Sequence, residues 1–533
     1  SDLGANYLVI DGRPGGLGTN KFLVITDSST TAAAAGNAIL MRNDASNDTL
    51  KFLDIRSANQ NAATASVVVA AGSIPGALAI GTTTGANGND NNVINTCDIH
   101  SLASSGNLGV CIYAGNGTAD GAVSNNDNNT ITNCNLFDFF LATAASAAID
   151  IVNSNNNYTI TNNKVYETFT CNYAAGTQTV RGFWITPNAS GSITSASGYN
   201  ISGNFIGGAN ASGTGTYTMT GTAAYSYNAM DIFVGFGTAT SVQNNTVTKM
   251  NLTGGFSTNN FFGINIGNGN ANVGTVAANT IGSTTTNGSI TFTTTVANGS
   301  LIGLRSGSSV GGVVNFSNNI VSGIDLACSP NNTTIYAGFN GIAASGGLTI
   351  IINNNTVGSS TLANSINLTA TSATATAGNA TRGIIVNSTV ASSTSSVTGN
   401  LVANINNSYA GTGTTNFMQG IITTSTIPTI SGNIIRNLTS ASQNTGGTPS
   451  CAIMGIASST TAGPVIISGN TMHTFKLTNP TTTAGIQVAG IFFSSVTNAG
   501  NVIEKNNIHS FSIASPTNSA GLITGMDIAT TGS

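Results

Sequence analysis

One short pattern recurs along the chain and limits what it can fold into. It is clearest in VIISGNTM, residues 465–472. With Ile467 as the zero position, Gly469 stands at plus two, Asn470 at plus three and Met472 at plus five. Thirteen copies occur, about 29 to 45 residues apart. Their zero residues are Leu50, Ile94, Ile131, Ile160, Ile201, Val242, Val276, Phe316, Ile352, Val397, Ile430, Ile467 and Ile503. Asn holds plus three in ten of them: Asn163, Asn204, Asn245, Asn279, Asn319, Asn355, Asn400, Asn433, Asn470 and Asn506. A repeat of this length marks a solenoid, a propeller or an array, because one such unit cannot bury its apolar face alone.

The residue types choose among these. β-Branched side chains dominate zero and plus five, which favours strand over helix. Plus two is Gly or Asn in nine copies, and both tolerate positive φ, so the strand is expected to bend there. A bend at one place in every repeat stacks coil on coil. The Asn side chains then fall roughly 4.8 Å apart and hydrogen-bond along the stack as an inward-facing ladder. The expected fold is all-β: a parallel β-helix of about 13 coils, with Cys97 and Cys134 extending the ladder. Their burial as thiols is expected, with a disulfide as the alternative.

Of the 533 residues only 6% are charged, while 40% are hydrophobic. Disorder would require low hydrophobicity and high charge, and here the apolar residues are periodic. The net charge is −4 and the 13 basic residues are dispersed, so no nucleic-acid partner is expected. No apolar run is long enough to span a membrane. The six Cys match neither a zinc site nor a dense disulfide framework. No composition shift divides the chain, so residues 1–533 read as one continuous domain.

A second strand type recurs before the bent one, as in Gly182-Phe183-Trp184-Ile185, Gly263-Ile264, Gly383-Ile384, Gly420-Ile421, Gly455-Ile456 and Gly490-Ile491. Plus eight is often bulky and apolar, as at Leu102, Phe139, Met250, Ile324, Leu438, Phe475 and Phe511. Between plus eight and the next Gly-Ile strand lie variable Thr/Ser/Gly-rich segments, such as 207–228, 283–300 and 359–380. Alternation at Ile290, Phe292, Thr294 and Val296, and at Ile366, Leu368 and Ala370, predicts a fourth strand or a loop layer on one edge.

The Gly-Ile strand, the NDNNTITN approach at 126–133 and the Ser-Gly-Asn bend resemble right-handed parallel β-helix repeats of the pectin-lyase-like superfamily. They are most similar to large surface and secreted proteins of Bacteroidota that use type IX secretion. The resemblance implies fold rather than function, since that architecture carries lyases, hydrolases, tailspikes, adhesins and stalks. It also implies an extracellular or cell-surface location.

Candidate chemistry gathers at two places. Asp54, Arg56, Asp98 and His100 occupy plus four and plus six of adjacent coils, an outward face on which acid, base and cation could serve a lyase or hydrolase. Arg436, His473 and His509 take plus six on three successive coils, a column where two imidazoles could share a metal. A solvated polar face is the plainer explanation of each. Of Phe183 and Trp184 one should face out, packed under a loop or stacked on sugar. Thr runs at Thr82–Thr84 and Thr293–Thr295 raise ice binding, but they fall in loops of unequal length. No cofactor is expected.

The repeating positions are structural and the outer surface is bland. The expected function is therefore a non-enzymatic shaft of an extracellular fibre or adhesin. The alternatives are a polysaccharide lyase, a hydrolase or tailspike-like enzyme, or a carbohydrate-binding adhesin that takes surface glycans. The first and last coils read as incomplete, which predicts end-to-end self-association or caps supplied by flanking sequence.

Overall fold

The structure, a computed structural model, describes residues 2–3, 6–29, 36–64, 74–81, 87–103, 107–115, 125–173, 178–187, 195–295, 299–307, 311–328, 337–369, 380–388, 390, 393–424, 426–460, 463–478, 485–495, 500–514 and 520–530. Thr82–Thr84, Val296 and Ala370 lie outside them. The fold is an all-β parallel solenoid of about twelve turns. Among the described residues the one helical element is the 3-10 turn Pro14–Gly16, within the expected DGRPGGLG turn. Two compact units are built alike: residues 1–251 with 264–272, and residues 252–263 with 273–533.

Each coil stacks on the next with every motif position on its own copy. In the first unit Leu50 pairs with Ile94, then Ile131, Ile160, Ile201 and Val242 in turn. Ile10, which the repeat pattern misses, pairs with Leu50 in the same way. In the second unit the series is Phe316, Ile352, Val397, Ile430, Ile467 and Ile503. This register buries one apolar column per position; a slip by one residue would turn the whole set outward.

The plus-two bend is present in twelve of the thirteen copies. It holds even where the residue is ill suited: Phe52, Thr96 and Lys505 have φ of 53°, 56° and 54°. Non-Gly side chains are strained there, so the stacking enforces the bend beyond what local preference offers. A second bend at plus seven has no single sequence signature. Asp138, Lys249, Asn404, Asn437, Thr474 and Ser510 all take positive φ. It carries the chain round a corner so that plus five and plus eight both point inward.

The ladder lies inside, as the pattern predicts. In the first unit the Cys134 N–H donates to Asn163 Oδ1 at 2.9 Å, and Asn163 and Asn204 donate to the Asn one coil further on. In the second unit the links run through Asn279, Asn319, Asn355, Asn400, Asn433, Asn470 and Asn506. Each Asn uses its second amide hydrogen on the zero-position carbonyl of the preceding coil, as from Asn433 to Val397 O at 2.8 Å. Every polar atom of an interior rung such as Asn433 thereby has a protein partner. Shorter ladders that the pattern did not reveal flank it: Asp48, Asn92 and Asn129, and Asn89, Asn126 and Asn155.

One register assignment needs correction. Val276 is 86% exposed, and Val273 is the buried zero residue of that coil. Asn319 Nδ2 donates to Val273 O at 2.9 Å, as its counterparts do to theirs. Three extra residues loop out after Val273, so Asn279 still reaches its rung from plus six. Leu102 also departs from expectation, being 40% exposed rather than core.

The Gly-Ile strands owe their glycine to close packing. A Cβ on Gly420 would lie 2.6 Å from Gly455 O and 2.7 Å from Ile435, the plus-five residue. The same clash recurs at Gly383, Gly455 and Gly490, so the column stays glycine because plus five fills that space. The variable segments do build a fourth strand in part: Ile290–Thr294, Ile324–Cys328 and Ile366–Thr369 pair successively. Outside the coil, Ala63 and Ile74 cover Ala79, Val110, Tyr113 and Ala147 on the outer face of the first unit. Cys451 packs likewise against Met454, Ala457, Ala489 and Phe492 in the second.

Candidate functional site

The outward cluster of the first unit rests on stacked strands. Leu53–Ser57, Asp98–Ser101, Asn135–Phe137 and Lys164–Tyr166 succeed one another in register. Plus four then presents Asp54, Asp98, Asn135 and Lys164, and plus six presents Arg56, His100, Phe137 and Tyr166. All four candidates from the sequence are brought together.

Their charges are spent on one another. Arg56 Nε donates to Asp54 Oδ1 at 2.9 Å, and its Nη2 pairs with Oδ2. His100 Nε2 lies 3.1 Å from Asp54 Oδ1, and His100 Nδ1 lies 2.7 Å from Ser101 O. Asp98 pairs with Lys21 and accepts from Asn135 Nδ2 at 2.6 Å. Burial works to raise the Asp54 pKa, but the His100 and Arg56 contacts outweigh it and hold the carboxyl well below the carboxylate range. The hydrogen bond to Asp54 in turn raises Arg56. A glycosidase-type acid needs a raised pKa, and Asp54 is driven the other way.

Phe137 and Tyr166 are the residues sequence reasoning missed. The His100 ring stacks on Phe137 at 4.3 Å, and Phe137 stacks on Tyr166 at 4.8 Å. The signal was available, since both occupy the same plus-six column as His100. Because these rings face each other along the stack, the faces within the column are occupied and cannot serve as a sugar platform.

The acids with raised pKa lie elsewhere; Asp138, Glu167 and Asp150 are buried and Asp127 is half-buried. Asp138 accepts from Thr168 N and Oγ1 at 2.9 Å, and Glu167 Oε1 accepts from Phe139 N at 3.2 Å. Burial, reinforced by the neighbouring Asp138, pushes Glu167 well up. Burial likewise raises Asp127 to about 6 and Asp150 to about 8. Asp150 is fully enclosed, with Tyr113 and Trp184 beside it in the sheet. Its Oδ2 accepts from Thr64 N at 3.0 Å, and its Oδ1 meets no hydrogen-bond donor among the described residues.

In the second unit the plus-six column places Arg436, His473 and His509 on successive coils. The two imidazoles are parallel to within 1° at 5.0 Å. Their Nδ1 atoms lie 2.9 Å from Thr474 Oγ1 and Ser510 Oγ. Burial, with His509 and Arg436 nearby, lowers the pKa of His473. Arg436 Nη2 donates to Ser360 O at 2.7 Å. Among the described residues no group of three or more His, Cys, Asp or Glu is placed to hold a metal ion.

Phe183 is buried inward, whereas Trp184 faces out. The Arg181 guanidinium covers Trp184 at 3.6 Å and pairs with buried Asp231 at 3.0 Å. Trp184 is thus packed, as a lone aromatic on such a strand usually is. Thr293 and Thr294 belong to the strand Ile290–Thr294. No protein-family model matches this chain, and no curated protein matches it in sequence. Among the described residues no helix is long and apolar enough to cross a membrane, which leaves strands aside.

Proposed function

We propose that the chain is a non-enzymatic structural solenoid, a shaft segment of an extracellular fibre or adhesin. The observation that carries this is the pairing of the outward acids: Asp54 is tied to Arg56 and His100, and Asp98 to Lys21, so both carboxylates are engaged by neighbours in the fold. The motif positions themselves serve inward packing and the ladder. The finer assignment, to surface proteins of Bacteroidota exported by type IX secretion, rests on sequence resemblance alone. Incubation with acidic polysaccharides should yield no unsaturated product by ultraviolet absorbance. Turnover abolished by Asp98→Ala or His100→Ala would overturn the structural reading in favour of a lyase.

End-to-end association belongs to the same proposal. Ile467, Met472, Phe475 and Leu477 are fully buried, but their counterparts Ile503, Ile508, Phe511 and Ile513 are only partly so. A second copy stacking there would extend each column and form a heterologous, non-closing contact. Light scattering of residues 1–533 over a concentration series should show growing assemblies. A monomer at every concentration would remove self-association from the proposal.

A glycan-binding adhesin is the second reading. What favours it is a cation rather than a ring face: Lys164 covers Phe205 at 5.3 Å, so its ammonium, beside the His100 column, is the group a glycan would meet. Glycan-array binding lost in Lys164→Ala would support it over a plain shaft.

A further inference from the structure

Cys97 and Cys134 occupy adjacent rungs of the first unit's ladder, where ten later coils carry Asn. Their strands are in register: Asp98 opposes Asn135, and the Asn135 N–H donates to Cys97 O at 2.9 Å. Both side chains are fully buried and both are free thiols. Cys97 Sγ reaches Leu50 O at 3.7 Å and Asn95 O at 3.5 Å. Cys134 Sγ reaches Ile94 O at 3.7 Å and Thr132 O at 3.3 Å.

A thiol substitutes poorly for a carboxamide at this position. The Asn of one coil offers Oδ1 to both the backbone and the side-chain N–H of the coil before it, as Asn433 does to Asn400. Cys has no such oxygen. Two consecutive Cys therefore remove both halves of one ladder link, and the in-register strands set the two buried side chains one above the other. Adjacent in-register strands place their Cα atoms roughly 4.8 Å apart, within the span of about 4.4–6.8 Å that a disulfide bridges.

We propose that Cys97 and Cys134 are a redox couple, and that oxidation replaces the missing ladder link with a disulfide clamping two successive coils. The oxidant class is a small disulfide such as oxidised glutathione. The Cys97 thiolate attacks one glutathione sulfur, forming a mixed disulfide and expelling glutathione thiolate. The Cys134 thiol then loses its proton and attacks Cys97 Sγ, expelling the second glutathione. Two protein thiols are oxidised and one small disulfide is reduced to two thiols, so atoms and electrons balance. Cys97 is the better attacking group: the Cys134 contact lowers its pKa against the effect of burial, whereas burial raises Cys134. This inference is independent of the shaft reading.

Because both thiols are buried, the test is refolding from denaturant in a glutathione redox buffer, followed by alkylation and peptide mapping. Cleavage before Asp90, Asp98, Asp127 and Asp138 separates Cys97, Cys111 and Cys134 onto different peptides. The expected result is four free thiols in place of six, with residues 90–97 linked to 127–137. The oxidised protein should also melt several degrees above the reduced one. Cys111→Ala should leave the link intact, and Cys134→Ala should abolish it and leave Cys97 as a buried free thiol. Six free thiols after refolding, or a different pairing, would overturn the proposal.

Discussion

Asn433→Leu is expected to lower the stability of the second unit by about 3–5 kcal/mol, several times the effect of a surface substitution. Leu is close to Asn in length, so the loss is of hydrogen bonds rather than of volume. Asn433 Oδ1 accepts from Asn400 N at 2.9 Å and from Asn400 Nδ2 at 3.0 Å. Its own Nδ2 donates to Val397 O at 2.8 Å and to Asn470 Oδ1 at 2.9 Å. Leu would strand a backbone amide, a side-chain amide and a carbonyl at a fully buried rung. Asn506→Leu, at a half-exposed rung that solvent can reach, should cost only about 1 kcal/mol. Denaturant midpoints of the two variants decide the matter: equal losses would mean that the ladder adds nothing beyond its neighbours' packing.

The same ladder shows how far sequence carries. The inward Asn column, the positive φ at plus two and the in-register stacking all follow from residue types at fixed offsets. The misassignment of Val276 has a plain cause. An apolar residue three before Asn279 satisfies the pattern, but a three-residue insertion moves the buried position to Val273, and periodicity alone cannot weigh the two. The plus-seven bend was hidden because Asp138, Lys249, Thr474 and Ser510 share no chemistry; tertiary stacking dictates φ there, as it does for Phe52 and Lys505. The outward candidates were correctly placed side by side. Whether Asp54 is an acid or half of an ion pair depends on side-chain geometry that register does not fix. The cover over Asp150 is a long-range contact, from Thr64 to a strand 86 residues later, and no local pattern announces it.

That cover sets the pH dependence of the first unit. Burial pushes the Asp150 carboxyl from its ordinary 3.8 up to about 8, so the folded state holds a proton that the unfolded chain releases. Stability from this group is present in full below the unfolded pKa and is lost as pH rises towards the folded one. Asp127, raised to about 6, and Glu167 act in the same direction. Asp54 opposes them, since its depressed pKa contributes stability that is lost only in strong acid. The first unit should therefore be most stable in mildly acidic solution and weaken by several kcal/mol towards pH 8. Asp150→Asn keeps an acceptor for the Thr64 amide and removes the ionisation. It should stabilise the unit by about 2–5 kcal/mol at pH 8 and change little near pH 4. Trp184, the chain's one tryptophan, is the register partner of Asp150, so its fluorescence reports unfolding at this site. A midpoint for Asp150→Asn that tracks wild type across this range would show that the buried carboxyl does not control the profile.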